Sequence, residues 1–145
     1  GPPSGWGKTA DFVISDNTIQ IAGFEVNPAF AGIEAIFLDG AVISNNRILG
    51  SSTYGIALEG ASKCLVKWNN VRRLAADVAA IYLDQDTNNC TVIGTDLSDT
   101  VMDQGTDNKL INVDVKPFRW LGQASHNSMK DKLELRKHHR PLWAR

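Results

Sequence analysis

The sequence predicts an all-β solenoid of stacked parallel strands, about five coils long, with a C-terminal capping segment read as a short helix. Three observations predict it. First, Ile36-Phe37-Leu38-Asp39, Ile56-Ala57-Leu58-Glu59, Ile81-Tyr82-Leu83-Asp84 and Thr100-Val101-Met102-Asp103 repeat one pattern. Second, another pattern recurs between them, clearest in Ile14-Ser15-Asp16-Asn17-Thr18-Ile19, Ile43-Ser44-Asn45-Asn46-Arg47-Ile48 and Val66-Lys67-Trp68-Asn69-Asn70-Val71. Third, apolar residues alternate with others over short runs that end in Gly, Asn or Asp, the grammar of strands and turns.

The spacing excludes a helical repeat. Leu38, Leu58, Leu83 and Met102 are 20, 25 and 19 residues apart, and Ile14, Ile43, Val66, Val92 and Leu110 are 29, 23, 26 and 18 apart. Paired helices need about 33 residues per repeat. Steps near 20 with scattered extras fit a constant coil with loops of variable length. Both series supply Val, Ile, Leu or Met to inward slots, as stacked parallel strands require.

The elements follow in chain order. Residues 1–9 form an N-terminal tag or capping segment, with Trp6 available to cover that end. Residues 10–117 form the coils. Five residues after each second-pattern marker stands another apolar residue: Ile19, Ile48, Val71, Leu97 and Val115. Three residues after it stand Asn17, Asn46 and Asn69, then Thr95 and Val113. Amides stacked at one turn of successive coils can bond to one another and satisfy buried donors and acceptors; the alternative is that Asn simply tolerates left-handed turn geometry. Cys64 and Cys90 each precede a marker by two residues, so adjacent coils place them about 4.8 Å apart. That is within disulfide range, but the reading favours stacked thiols. Two cysteines without His or Cys companions lack the spacing of a zinc site. Asn89-Cys90-Thr91 matches the N-glycosylation acceptor pattern, discounted because Cys90 is expected inward.

Residues 118–145 form a basic cap or tail. Asn127-Ser128 suits a helix N-cap, Met129 and Leu133 share a face, and Lys, Arg and His fill the last turn before Pro141. Phe118, Trp120, Leu121, Leu142 and Trp143 provide apolar material for docking on an open solenoid end. His138 and His139 are neighbours and point apart on a helix, which argues against joint metal ligation.

The formal net charge of −1 conceals an asymmetry. Residues 1–115 hold 7 Lys and Arg against 14 Asp and Glu, whereas residues 116–145 hold 8 against 2 and all three histidines. The tail is therefore expected to contact its own acidic solenoid or another subunit. Nucleic acid is disfavoured, because basic residues do not interleave with aromatics in a known motif. No apolar run approaches the ~20 residues that span a bilayer. Gly1-Pro2 reads as a proteolytic scar, so the chain reads as a fragment, the C-terminal part of a longer protein.

The stretch from Gly55 to Val71, Gly-Ile-Ala-Leu-Glu-Gly-Ala-Ser-Lys-Cys-Leu-Val-Lys-Trp-Asn-Asn-Val, resembles one repeat unit of the right-handed parallel β-helix, as in the pectate-lyase-like superfamily. The resemblance covers roughly residues 10–115. It implies the fold directly. It implies function only broadly, because that fold carries lyases, hydrolases, epimerases, viral spikes and scaffolds.

Asp39, Glu59, Asp84 and Asp103 are expected at one slot on successive coils, with Phe37, Ala57, Tyr82 and Val101 two residues earlier on the outward face. Stacked carboxylates repel and raise each other's pKa. Acids on adjacent coils fall near the ~5–5.5 Å separation of retaining glycosidases, and on alternate coils near the inverting range. Aromatic rings beside acids suit a sugar groove, so Phe37, Asp39, Glu59, Tyr82, Asp84 and Asp103 are the candidate substrate-binding residues. The alternative is ordinary turn chemistry. The resemblance adds Ca²⁺ as a possible cofactor of a carboxylate cluster. The Asp-Asp and Gly-His-Gly motifs of polygalacturonases are missing. Lys67, Arg47, Arg72 and Arg73 are the candidate lyase bases, without a sequence-derived position near the acids. Whether the chain is an enzyme is therefore open, with no recognised catalytic set. The functional expectation is a secreted or virion-associated, carbohydrate-associated β-helix from a polysaccharide-processing or glycan-binding protein. The alternative is a non-catalytic scaffold for protein partners or for self-association through the solenoid ends or tail.

Overall fold

A computed structural model describes residues 9–10, 12–21, 31–50, 53–72, 74, 78–95 and 99–117. Trp6, Arg73, Leu97 and the whole expected cap, residues 118–145, lie outside the described residues. The regular elements described are all strands: β1 Thr9–Ala10, β2 Val13–Ser15, β3 Thr18–Gln20, β4 Ile33–Ile36, β5 Leu38–Asp39, β6 Val42–Ser44, β7 Arg47–Leu49, β8 Ile56–Glu59, β9 Leu65–Lys67, β10 Asn70–Arg72, β11 Ile81–Leu83, β12 Thr91–Ile93, β13 Thr100–Asp103, β14 Lys109–Ile111 and β15 Asp114–Lys116.

They stack into three parallel sheets. Sheet 1 is β2-β6-β9-β12-β14, sheet 2 is β3-β7-β10 and sheet 3 is β4-β8-β11-β13-β15, while β1 pairs with β5. Each full coil runs from sheet 3 through a corner to sheet 1, turns sharply into sheet 2, and returns by a longer loop. The corner between sheets 1 and 2 uses a single left-handed residue, supplied by Asp16, Asn45 and Trp68, and Asn112 takes the same conformation where the last coil leaves sheet 1. Gly40, Lys63, Asn89 and Asp107 do the same between sheets 3 and 1. Asn, Asp and Gly suit this backbone because a short polar or absent side chain avoids the clash with the following carbonyl.

The core is a set of rows along the solenoid axis. Ile14, Ile43, Val66, Val92 and Leu110 pair in register across sheet 1, as their spacing predicts. Ile19, Ile48 and Val71 form the row in sheet 2. Sheet 3 departs from the sequence alignment. Its inward row is Ile33, Ile56, Ile81, Val101 and Val115. Val115 therefore does not continue the Ile19 row, because the last coil passes from β14 to β15 without a sheet 2 strand.

Two other residues are displaced from their expected places. Leu58 and Leu83 are fully buried, but their partners are Ala35 and Asp103, not Leu38 and Met102. Phe37 has φ 54°, which breaks the strand after Ile36 and sends Leu38 into β5 against β1. Met102 faces outward, one residue beyond Val101. A one-residue slip reverses the face of a strand, and the β-branched Val101 takes the inward slot. Met102 is still fully buried, in a second cluster with Tyr54, Val78 and Ala79 that covers the outside of sheet 3.

The Asn ladder forms at the corner between sheets 1 and 2. Asn17 Nδ2 donates to Asn46 Oδ1 at 2.9 Å, and Asn46 Nδ2 to Asn69 Oδ1 at 2.9 Å. The same oxygens accept the backbone N–H groups of Asn17 and Asn46, and the amides of Asn46 and Asn69 also donate to Ile14 O and Ile43 O. Thr95 does not extend it; its hydroxyl donates to the buried Asp99 carboxylate at 2.8 Å.

Candidate functional site

The corner between sheets 3 and 1 gathers the expected acids but does not stack them in one column. Asp84 N–H donates to Leu58 O and Gln104 N–H to Leu83 O, so one row is Glu59, Asp84 and Gln104. Ile36 precedes Glu59 in that row. The next row is Asp39, Ser62, Asn88 and Thr106, joined by parallel bridges. Asp103 belongs to neither and pairs with Leu83. The turns have different lengths, which breaks the fixed spacing the sequence suggests.

Three of the acids are held by hydrogen bonds within or between coils. Asp84 Oδ1 accepts from Gly60 N at 3.0 Å, Asp86 N at 3.1 Å and Thr87 Oγ1 at 2.8 Å. Asp103 Oδ1 accepts from Gly105 N and from Asn108 Nδ2, both at 2.9 Å. Asp39 Oδ1 accepts from Ser62 Oγ at 3.3 Å. The bonds from Asp86, Thr87, Gly105 and Asn108 are the local side-chain bonds that favour Asp in turns, while those from Gly60 and Ser62 tie adjacent coils. The Oδ2 atoms of these three residues take no part in them. Glu59 is half-buried beside Gly60, where an added Cβ would stand 2.6 Å from the Phe37 ring. Phe37 thus packs over the turn below it and is not part of an outward aromatic column.

Tyr82 lies elsewhere, on the outside of sheet 3. The outward row there is Glu34, Ala57, Tyr82, Met102 and Lys116. Val101, expected in this row, faces the core. Tyr54 stacks on Tyr82 with ring centroids 4.8 Å apart, and Tyr82 donates its hydroxyl to Gln104 Oε1 at 3.2 Å. Burial first, and then Tyr82, push the Tyr54 phenol well above its usual value. Desolvation raises Glu34 at the end of the row. An apolar cluster therefore fills the face that would line a groove, and one face of the Tyr82 ring is occupied.

The described candidate bases, Arg47, Lys67 and Arg72, lie away from these acids. Arg47 and Arg72 are on the outside of sheet 2 and Lys67 is at the far end of its sheet 1 strand, so sheet 1 intervenes. Arg72 Nη1 donates to Val71 O at 2.8 Å and stands 3.6 Å from Asp99 Oδ1. No three Asp, Glu, His or Cys side chains converge as a metal site among the described residues, so the acids do not form the carboxylate cluster expected for Ca²⁺. Cys64 and Cys90 are buried thiols on adjacent coils, with Cys64 N–H donating to Cys90 Sγ at 3.4 Å.

Trp68 is the surface residue that sequence reasoning passed over as a site. Its φ is 56° and half of its surface is exposed, with Lys67 Nζ 4.6 Å from the ring centroid. The available signal was its position: it immediately precedes Asn69, as Asp16 and Asn45 precede Asn17 and Asn46. Ser62, Asn88, Gln104 and Thr106 were also missed, because only the acids were aligned.

A family model for the right-handed β-helix region matches residues 5–115. No curated protein and no solved structure matches the chain at a significant level.

Proposed function

The chain belongs to the right-handed β-helix family, and from that premise we propose that it is a carbohydrate-associated binding module, without catalysis of its own, for a polysaccharide lying along the corner between sheets 3 and 1. The observation that carries this reading is the pair of polar rows at that corner, Glu59-Asp84-Gln104 and Asp39-Ser62-Asn88-Thr106. Each coil offers carboxylate, amide or hydroxyl groups at a step of about 4.8 Å. Sugar hydroxyls both donate and accept, and these groups complement both roles. Phe37 borders the rows and adds an apolar surface. The non-catalytic part is supported by the hydrogen bonds that tie Asp39, Asp84 and Asp103 into the corner, the placement of Arg47, Lys67 and Arg72 beyond sheet 1, and the apolar cluster over sheet 3.

Mobility in gels containing neutral or acidic polysaccharide tests the reading. The parent chain should be retarded, and the combined Asp39→Asn, Glu59→Gln and Asp84→Asn variant should lose retardation by neutral polysaccharide while keeping its β-sheet circular dichroism. Unchanged retardation of the variant would remove these rows from the account.

One observation favours a second reading. The outside of sheet 1 carries Val13, Val42, Leu65, Ile93 and Ile111, of which Val13 and Ile111 are exposed. These apolar residues share the face with Ser15, Ser44, Lys67, Thr91 and Lys109, and exposed apolar groups among polar ones suit a scaffold that packs on a protein partner or on another copy. Concentration-dependent sedimentation with no polysaccharide retention would favour it.

A further inference from the structure

We propose that the corner between sheets 1 and 2 is a separate binding site, built from Asn45, Arg47, Lys67, Trp68 and Asn70, for a saccharide unit carrying an anionic substituent. The proposal rests on the carbohydrate reading but uses a different surface from the polar rows.

The first support is backbone strain at Trp68. The left-handed region is sparsely populated by bulky residues, and the other described non-glycine residues with positive φ in this corner are Asp16 and Asn45. An Asn at position 68 would close the same turn with less strain. Burial does not compensate for the tryptophan, because half of its surface is exposed. Strained residues persist where the surroundings impose them, and they cluster at ligand sites.

The second support is the neighbouring polar groups. Arg47 pairs with Asn70 across β7 and β10, and both are exposed. Neither side chain has a hydrogen bond or ion pair among the described residues, in contrast to Arg72, which is held by Val71 O and Asp99. Asn45 occupies the equivalent corner one coil away and is also exposed. A planar indole face, amides that donate and accept, and a guanidinium with a neighbouring ammonium form a coherent set. The indole takes the C–H face of a sugar ring, the amides take hydroxyls, and Arg47 with Lys67 takes the anion. Lys67, which covers the ring in the unliganded chain, is placed to swing onto the anionic substituent. A single-stranded nucleic acid fits less well, because it uses several stacking aromatics in a basic groove, whereas this corner offers the single ring of Trp68 among the described residues.

Dextran and carboxymethyl dextran share a backbone and differ in charge, so they test the site on the intact chain. Carboxymethyl dextran should bind more tightly than dextran, with an affinity that falls as salt is raised. Trp68→Asn should weaken that binding by about tenfold or more, the loss of one stacked ring, while raising the Tm by a few degrees as strain is relieved. Trp68→Phe should retain most of the binding, and Arg47→Gln should remove the preference for the charged polymer. The proposal is overturned if Trp68→Asn binds like the parent, if the parent does not distinguish the two polymers, or if oligothymidine displaces them. Retained dextran binding with an inert Trp68 would condemn this site and leave the carbohydrate reading standing. Failure to bind any polysaccharide would end both.

Discussion

Replacing Asn46 with Ala tests the ladder where it is most buried. The side chain is 1% exposed and makes four bonds: Oδ1 accepts from Asn17 N at 3.0 Å and Asn17 Nδ2 at 2.9 Å, and Nδ2 donates to Ile14 O at 3.0 Å and Asn69 Oδ1 at 2.9 Å. At a net ~1 kcal/mol per bond, truncation costs about 4 kcal/mol, with the backbone groups it leaves behind pushing the figure up. A domain holds only about 5–15 kcal/mol in total, so the variant should lose a large share of its stability and unfold at a clearly lower urea concentration. Asn17→Ala is the internal control. It removes the same kind of side chain from an exposed position at the end of the ladder and should cost ~1 kcal/mol or less. Asn46→Asp keeps the shape but turns an acceptor toward Ile14 O and Asn69 Oδ1, so it should be at least as damaging as Ala near neutral pH. Urea unfolding followed by circular dichroism gives all three values. If Asn46→Ala and Asn17→Ala agree within ~1 kcal/mol, the ladder does not stabilise the stack as argued.

Leu58→Asp should abolish cooperative folding, because Leu58 is fully buried between Ala35 and Leu83 and an unpaired carboxylate there has no compensation; a soluble protein with a sharp melting transition would refute the inward assignment. The hydrogen bond with Cys90 brings the Cys64 thiol down from 9.0 to about 7. A folded value below the unfolded one means stability present at pH 9 and lost as pH falls toward 7; melting curves across that interval should show the loss in the parent and not in Cys64→Ala. Deleting residues 118–145 should lower the Tm or cause aggregation, since Leu110, Ile111 and Val115 end their rows at the C-terminal edge and Val115 is 54% exposed; equal solubility and Tm would show that the tail covers nothing.

The sequence was most legible where one residue type recurs at one turn. The rows of Ile14 and Ile19 and the three-Asn ladder could be read because the corner between sheets 1 and 2 is a single left-handed residue, which fixes the spacing on both sides. The corner between sheets 3 and 1 was not legible in the same way. There Phe37 interrupts the strand, Gln85 and Asp86 lengthen one turn, and Gln104 and Gly105 shorten another. Sequence spacing alone therefore matched Asp39 and Asp103 to Glu59 and Asp84, although backbone pairing separates them. The Met102 misplacement has another cause. A buried Met looks the same in sequence whether it faces the solenoid core or the apolar cluster outside it. Trp68 escaped notice because a tryptophan beside Asn69 reads as core material, although its place in the repeat, before the ladder Asn as Asp16 and Asn45 are, marks the left-handed turn position.

The most direct test of binding without catalysis is a single incubation of the intact chain with neutral and acidic polysaccharides, read twice: by retention of the protein on the immobilised polymer and by the length of the polymer afterwards. The account predicts retention on at least one polymer and no change in the length of any. Shortened chains would contradict the non-catalytic assignment, and no retention on any polymer would contradict the carbohydrate reading itself.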